Sequence, residues 1–227
     1  MPERYPLYDV LAKFDSPSWN DKTREVVAKR LAIPNHARYL SEEEFATLAA
    51  LAERITPQPT SRPPIPVAAL VDEKLLEDKG DGFRGAGMPR VREAWKRGLG
   101  ALDVEARASH GRAFHELAPH ERDVLIRRMQ SGELASSAWG GMPVKTFFQE
   151  RVLNDICSAY YSHPTAWSEI GFGGPAAPRG YVRMGYDGMD PWDAAEARPG
   201  DEEQARRHNL KVGHDLDPRH VFSVRAR

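Results

Sequence analysis

The sequence predicts a mainly α-helical protein: a helical domain of about five helices over residues 38–163, an N-terminal arm over residues 1–37, and a long irregular Gly/Pro/aromatic C-terminal tail over residues 164–227. Apolar residues recur with a period near 3.6 from residue 38 to residue 163, without the period-2 alternation of a half-buried strand. Helix start signals precede the periodic runs, most clearly at residues 40–45. Glycine and proline, 18 of each, gather in the connector Thr56–Pro66 and in the last third of the chain after His163.

In the arm, Asn20 is placed to cap a short helix from Asp21 to Ala32, with Asp21 and Glu25 near its positive end and Lys29 and Arg30 near its negative end. Pro34 stops it. Ser41 then reads as an N-cap, with Glu44 three residues on to reach back and close a capping box, and Leu40 and Phe45 at the positions of a hydrophobic staple. Phe45, Leu48, Ala49, Ala52 and Ile55 fall on one face of the helix that follows, which ends at Pro57. Pro66 reads as a first-turn proline for a helix carrying Val67, Leu70, Val71, Leu75 and Leu76. Gly80, Gly82, Gly85 and Gly87 turn the chain into a loop before Pro89 restarts a helix with Val91, Ala94, Trp95, Leu99 and Leu102 on one face. Gly98 and Gly100 within it cost about 1 kcal/mol each relative to alanine, and mark either close helix packing or a bend. Pro119 opens the next helix, with Val124, Leu125 and Met129 expected inward and Gly132 as its stop. A last helix runs from Pro143 to Pro164 with a broad apolar face (Val144, Phe147, Phe148, Val152, Ile156, Ala159 and Tyr160), the pattern of a central helix.

Composition narrows the function. The chain has 227 residues, enough for one large domain or two small ones. Lys+Arg total 32 against Asp+Glu 33, a balance unlike that of a dedicated nucleic-acid binder. The one cysteine, Cys157, excludes an internal disulfide and a cysteine-only metal site. No apolar run reaches the roughly 18–20 residues of a membrane span. Met1–Leu11 shows neither a twin arginine nor an apolar stretch, so the expected location is the cytoplasm, or the periplasm if a partner carries the chain across.

Catalytic patterns are scarce. His110, His115 and His120 are five apart, off the spacing that places two ligands on one helix face, and His208, His214 and His220 match no ligand spacing. Glu42, Glu43 and Glu44 are accounted for by the helix dipole, and Cys157 by an apolar helix. Gly171-Phe172-Gly173-Gly174-Pro175 follows a helix, and its proline blocks the helix start that a dinucleotide loop needs. The residues therefore offer no catalytic, cofactor-binding or metal set, a pattern that suits an accessory subunit. The alternative is a stand-alone helical enzyme or metal-binding protein using His163, His115 or the acidic C-terminus. In the tail, aromatic residues are interleaved with glycine and proline, which suggests an ordered, irregular segment whose rings are buried against its own helical domain or another protein.

The order of elements resembles a known family. Leu40-Ser41-Glu42-Glu43-Glu44-Phe45 through Leu51-Ala52-Glu53-Arg54-Ile55-Thr56-Pro57 is similar to the opening helix of the gluconate 2-dehydrogenase subunit 3 family. Phe114-His115-Glu116-Leu117 resembles its middle section; Phe147-Phe148 with Leu153, and Tyr160-Tyr161-Ser162-His163-Pro164, its later helix; Gly171–Pro175 and Arg179-Gly180-Tyr181, its glycine-rich signature. The resemblance covers roughly residues 38–192. It implies a non-catalytic, gamma-type small subunit without a cofactor of its own, which binds a large FAD-dependent dehydrogenase of the glucose–methanol–choline (GMC) type and supports its folding, stability or export. The large subunit would hold FAD and oxidise a sugar or glycoside, as a glucoside 3-dehydrogenase or a gluconate or glucose dehydrogenase does, and pass electrons to an iron–sulfur or cytochrome partner. On this view the tail drapes over the partner and buries Trp167, Phe172, Tyr181, Tyr186 and Trp192, rings that can each contribute about 2 kcal/mol at the centre of an interface.

Overall fold

The computed structural model describes residues 3–16, 18–82, 84–175 and 192–212; the expectations for Tyr181 and Tyr186 lie outside the described residues. The described residues are mainly helical and contain no strand. The chain divides into a larger unit, Ile33–Tyr160, and a second unit that joins Met1–Ala32 to Tyr161–Arg227. The sequence treats arm and tail as separate segments, whereas the structure clusters them together.

The helices are α1 (Asp21–Leu31), α2 (Glu42–Ile55), α3 (Val67–Leu76), α4 (Val91–His110), α5 (Pro119–Ser131), α6 (Val144–Phe147), α7 (Asn154–Ser162), α8 (Pro164–Ile170) and α9 (Glu202–Lys211). Between α6 and α7 the backbone is π-helical over Phe148–Leu153, so the predicted last helix of the domain is one rod with a wide turn at its centre. The larger unit thus has the five predicted helical segments, with α2 packed on α3, α4 and α5. Leu48, Leu51, Leu75, Trp95, Leu99, Leu102, Leu125 and Phe147 are buried in it.

Local signals hold at the start of α2. Ser41 Oγ accepts from the Glu44 amide at 3.2 Å, and the Glu44 carboxylate accepts from the Ser41 amide at 2.9 Å. Upstream, the buried Asp72 carboxylate of α3 accepts the amides of Arg38, Tyr39 and Leu40 at 2.7, 3.1 and 2.8 Å and fixes the chain's entry into the helix. Gly132 closes α5 as predicted, in the left-handed conformation.

Three expectations are corrected. Val124 is 44% exposed, because the inward stripe of α5 runs through Leu125 and Met129 and Val124 falls on its flank. Pro164 does not only end a helix. It occupies the first turn of α8, where its missing N–H costs nothing, and His163 caps that turn. Parts of the segment read as irregular are helical, namely α8 and α9; α9 is polar and too short in apolar residues to announce itself by periodicity.

Gly98 marks close packing. A Cβ there would overlap the Phe147 ring, which is itself held edge-on by Trp95 at 5.6 Å and tilted against Trp139 at 5.8 Å. Gly100, two residues on, has nothing within 4 Å of the same position. Gly98→Ala is therefore expected to destabilise the chain by about 2 kcal/mol, overpacking of up to about 3 offset by about 1 of helix propensity. Gly100→Ala is expected to stabilise it by about 0.5–1 kcal/mol. Urea denaturation of the two variants measures both, and equal effects would contradict the assignment of close packing to Gly98.

Candidate functional site

The second unit assembles around aromatic side chains. Tyr8, Val10, Trp19, Val27, Trp167, Trp192, Ala194 and Val212 form its core. Phe14 meets Trp19 edge-on at 5.9 Å, Trp19 meets Trp167 at 6.3 Å, and Trp167 meets Phe172 at 5.8 Å. Polar bonds hold the distant segments in register. The Tyr8 hydroxyl donates to the Trp192 carbonyl at 3.2 Å, and the Val10 amide to Ser168 Oγ at 3.0 Å. Asn209, 2% exposed, donates to the Pro6 and Ala195 carbonyls at 3.0 Å each and accepts the Ala195 amide at 2.8 Å. Arg30 donates to the Ser162 carbonyl at 2.6 Å.

The glycine-rich motif has a packing role in this unit. Gly171 ends α8 at φ +69°, and a Cβ on it would stand 2.5 Å from the Tyr5 ring. Gly174, at φ +72°, leaves room for the Trp19 ring, which would be 2.8 Å from a Cβ. Both positions need the left-handed backbone that glycine adopts without strain. The described rings expected at a partner interface thus divide. Trp167 and Trp192 are 6% and 3% exposed and packed within their own unit, while Phe172 is 43% exposed. Leu7, Val26, Leu31, Tyr161 and Ile170 of the same unit are also exposed; the larger unit exposes Val104, Val124 and Leu153.

The histidine and thiol candidates are placed as follows. His163 Nδ1 accepts the Thr165 amide at 3.2 Å, and burial together with Arg30 pushes its pKa down to about 4, so it is a neutral cap. His110 faces Glu121 at 3.5 Å. Burial pushes the Cys157 thiol up, toward the unreactive protonated form. Among the described residues no group of three or more His, Cys, Asp or Glu side chains stands together as a metal set.

A cluster that periodicity does not reveal lies in the larger unit. Lys74 Nζ of α3 donates to Asp81 at 2.6 Å and to Asp155 at 2.9 Å. Arg151 of the π-helical segment donates to Asp81 at 2.5 Å and stands 3.6 Å from Asp155. The Trp95 indole donates to Asp155 at 2.7 Å. Burial acts to raise the Asp81 carboxyl, but the hydrogen bonds from Lys74 and Arg151 outweigh it and hold it below the usual carboxylate range. Burial likewise opposes the charge on Lys74, and its two aspartates outweigh that and raise it. Every charge in the cluster is paired, so it works as a clamp from the glycine-rich loop to α3 and the central rod. The one signal in sequence was Arg151 and Asp155 at i,i+4.

A family model described as gluconate 2-dehydrogenase subunit 3 matches residues 42–174. The match runs from the first turn of α2 through the larger unit to α8 and the glycine-rich motif, and leaves the arm and α9 outside it. No curated protein and no solved structure matches the chain. Among the described residues no helix is long and apolar enough to cross a membrane.

Proposed function

The chain belongs to the gluconate 2-dehydrogenase subunit 3 family, and from that premise we propose that it is the non-catalytic small subunit of a sugar or glycoside dehydrogenase complex, binding and stabilising a large FAD-dependent subunit of the GMC type. FAD and substrate belong to the partner in this reading, and the small chain contributes surface and stability. The observation that carries it is the family match over residues 42–174. In this reading the partner covers apolar side chains that the second unit leaves exposed, among them Leu31, Tyr161, Ile170 and Phe172, and aromatic residues contribute most at such an interface. Trp167 and Trp192 shape the unit from within, and Phe172 is the described ring of the proposed interface that is open to a partner.

Copurification tests the proposal. A tagged full-length chain is expected to retain a coexpressed GMC-type flavoprotein through gel filtration as one yellow species. Separate elution of the two, with turnover or bound metal in the small chain alone, would favour the stand-alone reading instead.

A further inference from the structure

We propose that His163 is an acid-operated latch of the second unit: neutral, it holds α8 in place against the arm, and once protonated it lets arm and tail part. The latch goes beyond the subunit role and does not depend on it.

His163 is 6% exposed, and its Nδ1 accepts the Thr165 amide at 3.2 Å. An imidazole nitrogen accepts only while it carries no proton. Proton uptake at Nδ1 sets a donor against a donor, so the cap of α8 is lost and a charge is left in a buried place. Arg30 of α1 makes that charge costlier, because the Ser162 carbonyl fixes its guanidinium one residue away at 2.6 Å. The other charged side chains on the elements packed there are Asp9 and Lys13, at the two ends of the 3-10 turn Val10–Lys13 and its cap, and Glu169 of α8. Among the described residues the charge that acts on His163 is that of Arg30.

The helix that His163 caps is the one that ties tail to arm. Trp167 of α8 meets Trp19 at 6.3 Å, and Ser168 Oγ accepts the Val10 amide at 3.0 Å. Burial sets the direction of the effect. In the closed unit His163 takes a proton only near pH 4, whereas exposed by opening it does so near its ordinary 6.5. Opening is therefore favoured progressively as pH falls from 6.5 toward 4, and this group leaves it unchanged above that window. His163, Arg30 and α8 all belong to the second unit, so the larger unit has no share in the latch.

The test is native-state hydrogen exchange of the full-length chain, read as protection factors corrected for intrinsic exchange, from neutral pH down to about pH 4.5. Protection in α1 and α8 is expected to fall about fiftyfold over that range, with α2 and α4 steady. His163→Asn keeps a cap acceptor that does not titrate, so in this variant α1 and α8 should hold their neutral-pH protection. The imidazole resonances of His163 in the unaltered chain give a second readout that needs no variant; they should titrate below 6.5, together with the loss of protection. Protection in α1 and α8 that is steady with pH, an equal fall in His163→Asn, or an imidazole that titrates at 6.5 while α8 stays protected would overturn the proposal.

Discussion

Asp155→Ala is expected to lower stability by about 3–5 kcal/mol, the usual cost of removing one partner from a buried ion cluster. The Asp155 side chain is fully buried and holds Lys74 at 2.9 Å and the Trp95 indole at 2.7 Å, with Arg151 at 3.6 Å. Its loss leaves two cations sharing Asp81 and strands the indole N–H of Trp95. By contrast, Arg54 pairs with Asp123 through two hydrogen bonds at 2.7 and 2.9 Å, but both side chains are about a third exposed. Asp123→Ala is therefore expected to cost far less than Asp155→Ala. Urea denaturation at neutral pH compares the two. An Asp155→Ala variant as stable as Asp123→Ala would show that the cluster does not clamp the loop to the core.

Ending the chain after His163 is expected to leave the larger unit folded while residues 8–31 lose their amide protection. The core of the second unit is made from both ends of the chain: Tyr8, Val10, Trp19 and Val27 on one side, Trp167, Trp192, Ala194 and Val212 on the other. Neither half can bury its rings alone, and Ser168 and Asn209, which satisfy backbone groups near Val10 and Pro6, depart with the tail. The larger unit keeps the buried residues of α2 through α7 that form its own core. Hydrogen exchange reads both halves of the expectation. Exchange in α1 should rise to the rate of an unfolded chain, with α2 and α4 unchanged. Persistent protection in α1 would mean that the arm is held by something other than the tail.

Both of these features depend on contacts far apart in the chain, whereas the sequence was informative where contacts are local. The α2 capping box is written in residues three apart, and the stripes of α2 to α5 in residues three and four apart, so local spacing revealed them. Gly98 was legible as a special position, and its partner Phe147 supplied the reason. The π-helical turn was hidden, since one extra residue per turn barely disturbs an apolar stripe as broad as that of residues 143–163. The second unit was hidden for a different reason. Trp19 and Trp167 meet across 148 residues of sequence with no repeating pattern between them. The need for the tail's rings to be buried was visible, but the arm as their cover was not. The ion cluster escaped because Lys74, Asp81, Arg151 and Asp155 look individually like solvated charges, and only the fold brings them together.

In the proposed role this chain stabilises a flavoprotein partner. Its most direct measurement is the soluble, FAD-loaded yield of a coexpressed GMC-type large subunit, read by visible flavin absorbance with and without this chain. A flavin-loaded soluble partner is expected only when both chains are present, with the yield falling when Phe172, Ile170 and Tyr161 are replaced together by serine. Equal flavin loading in the absence of this chain would contradict it.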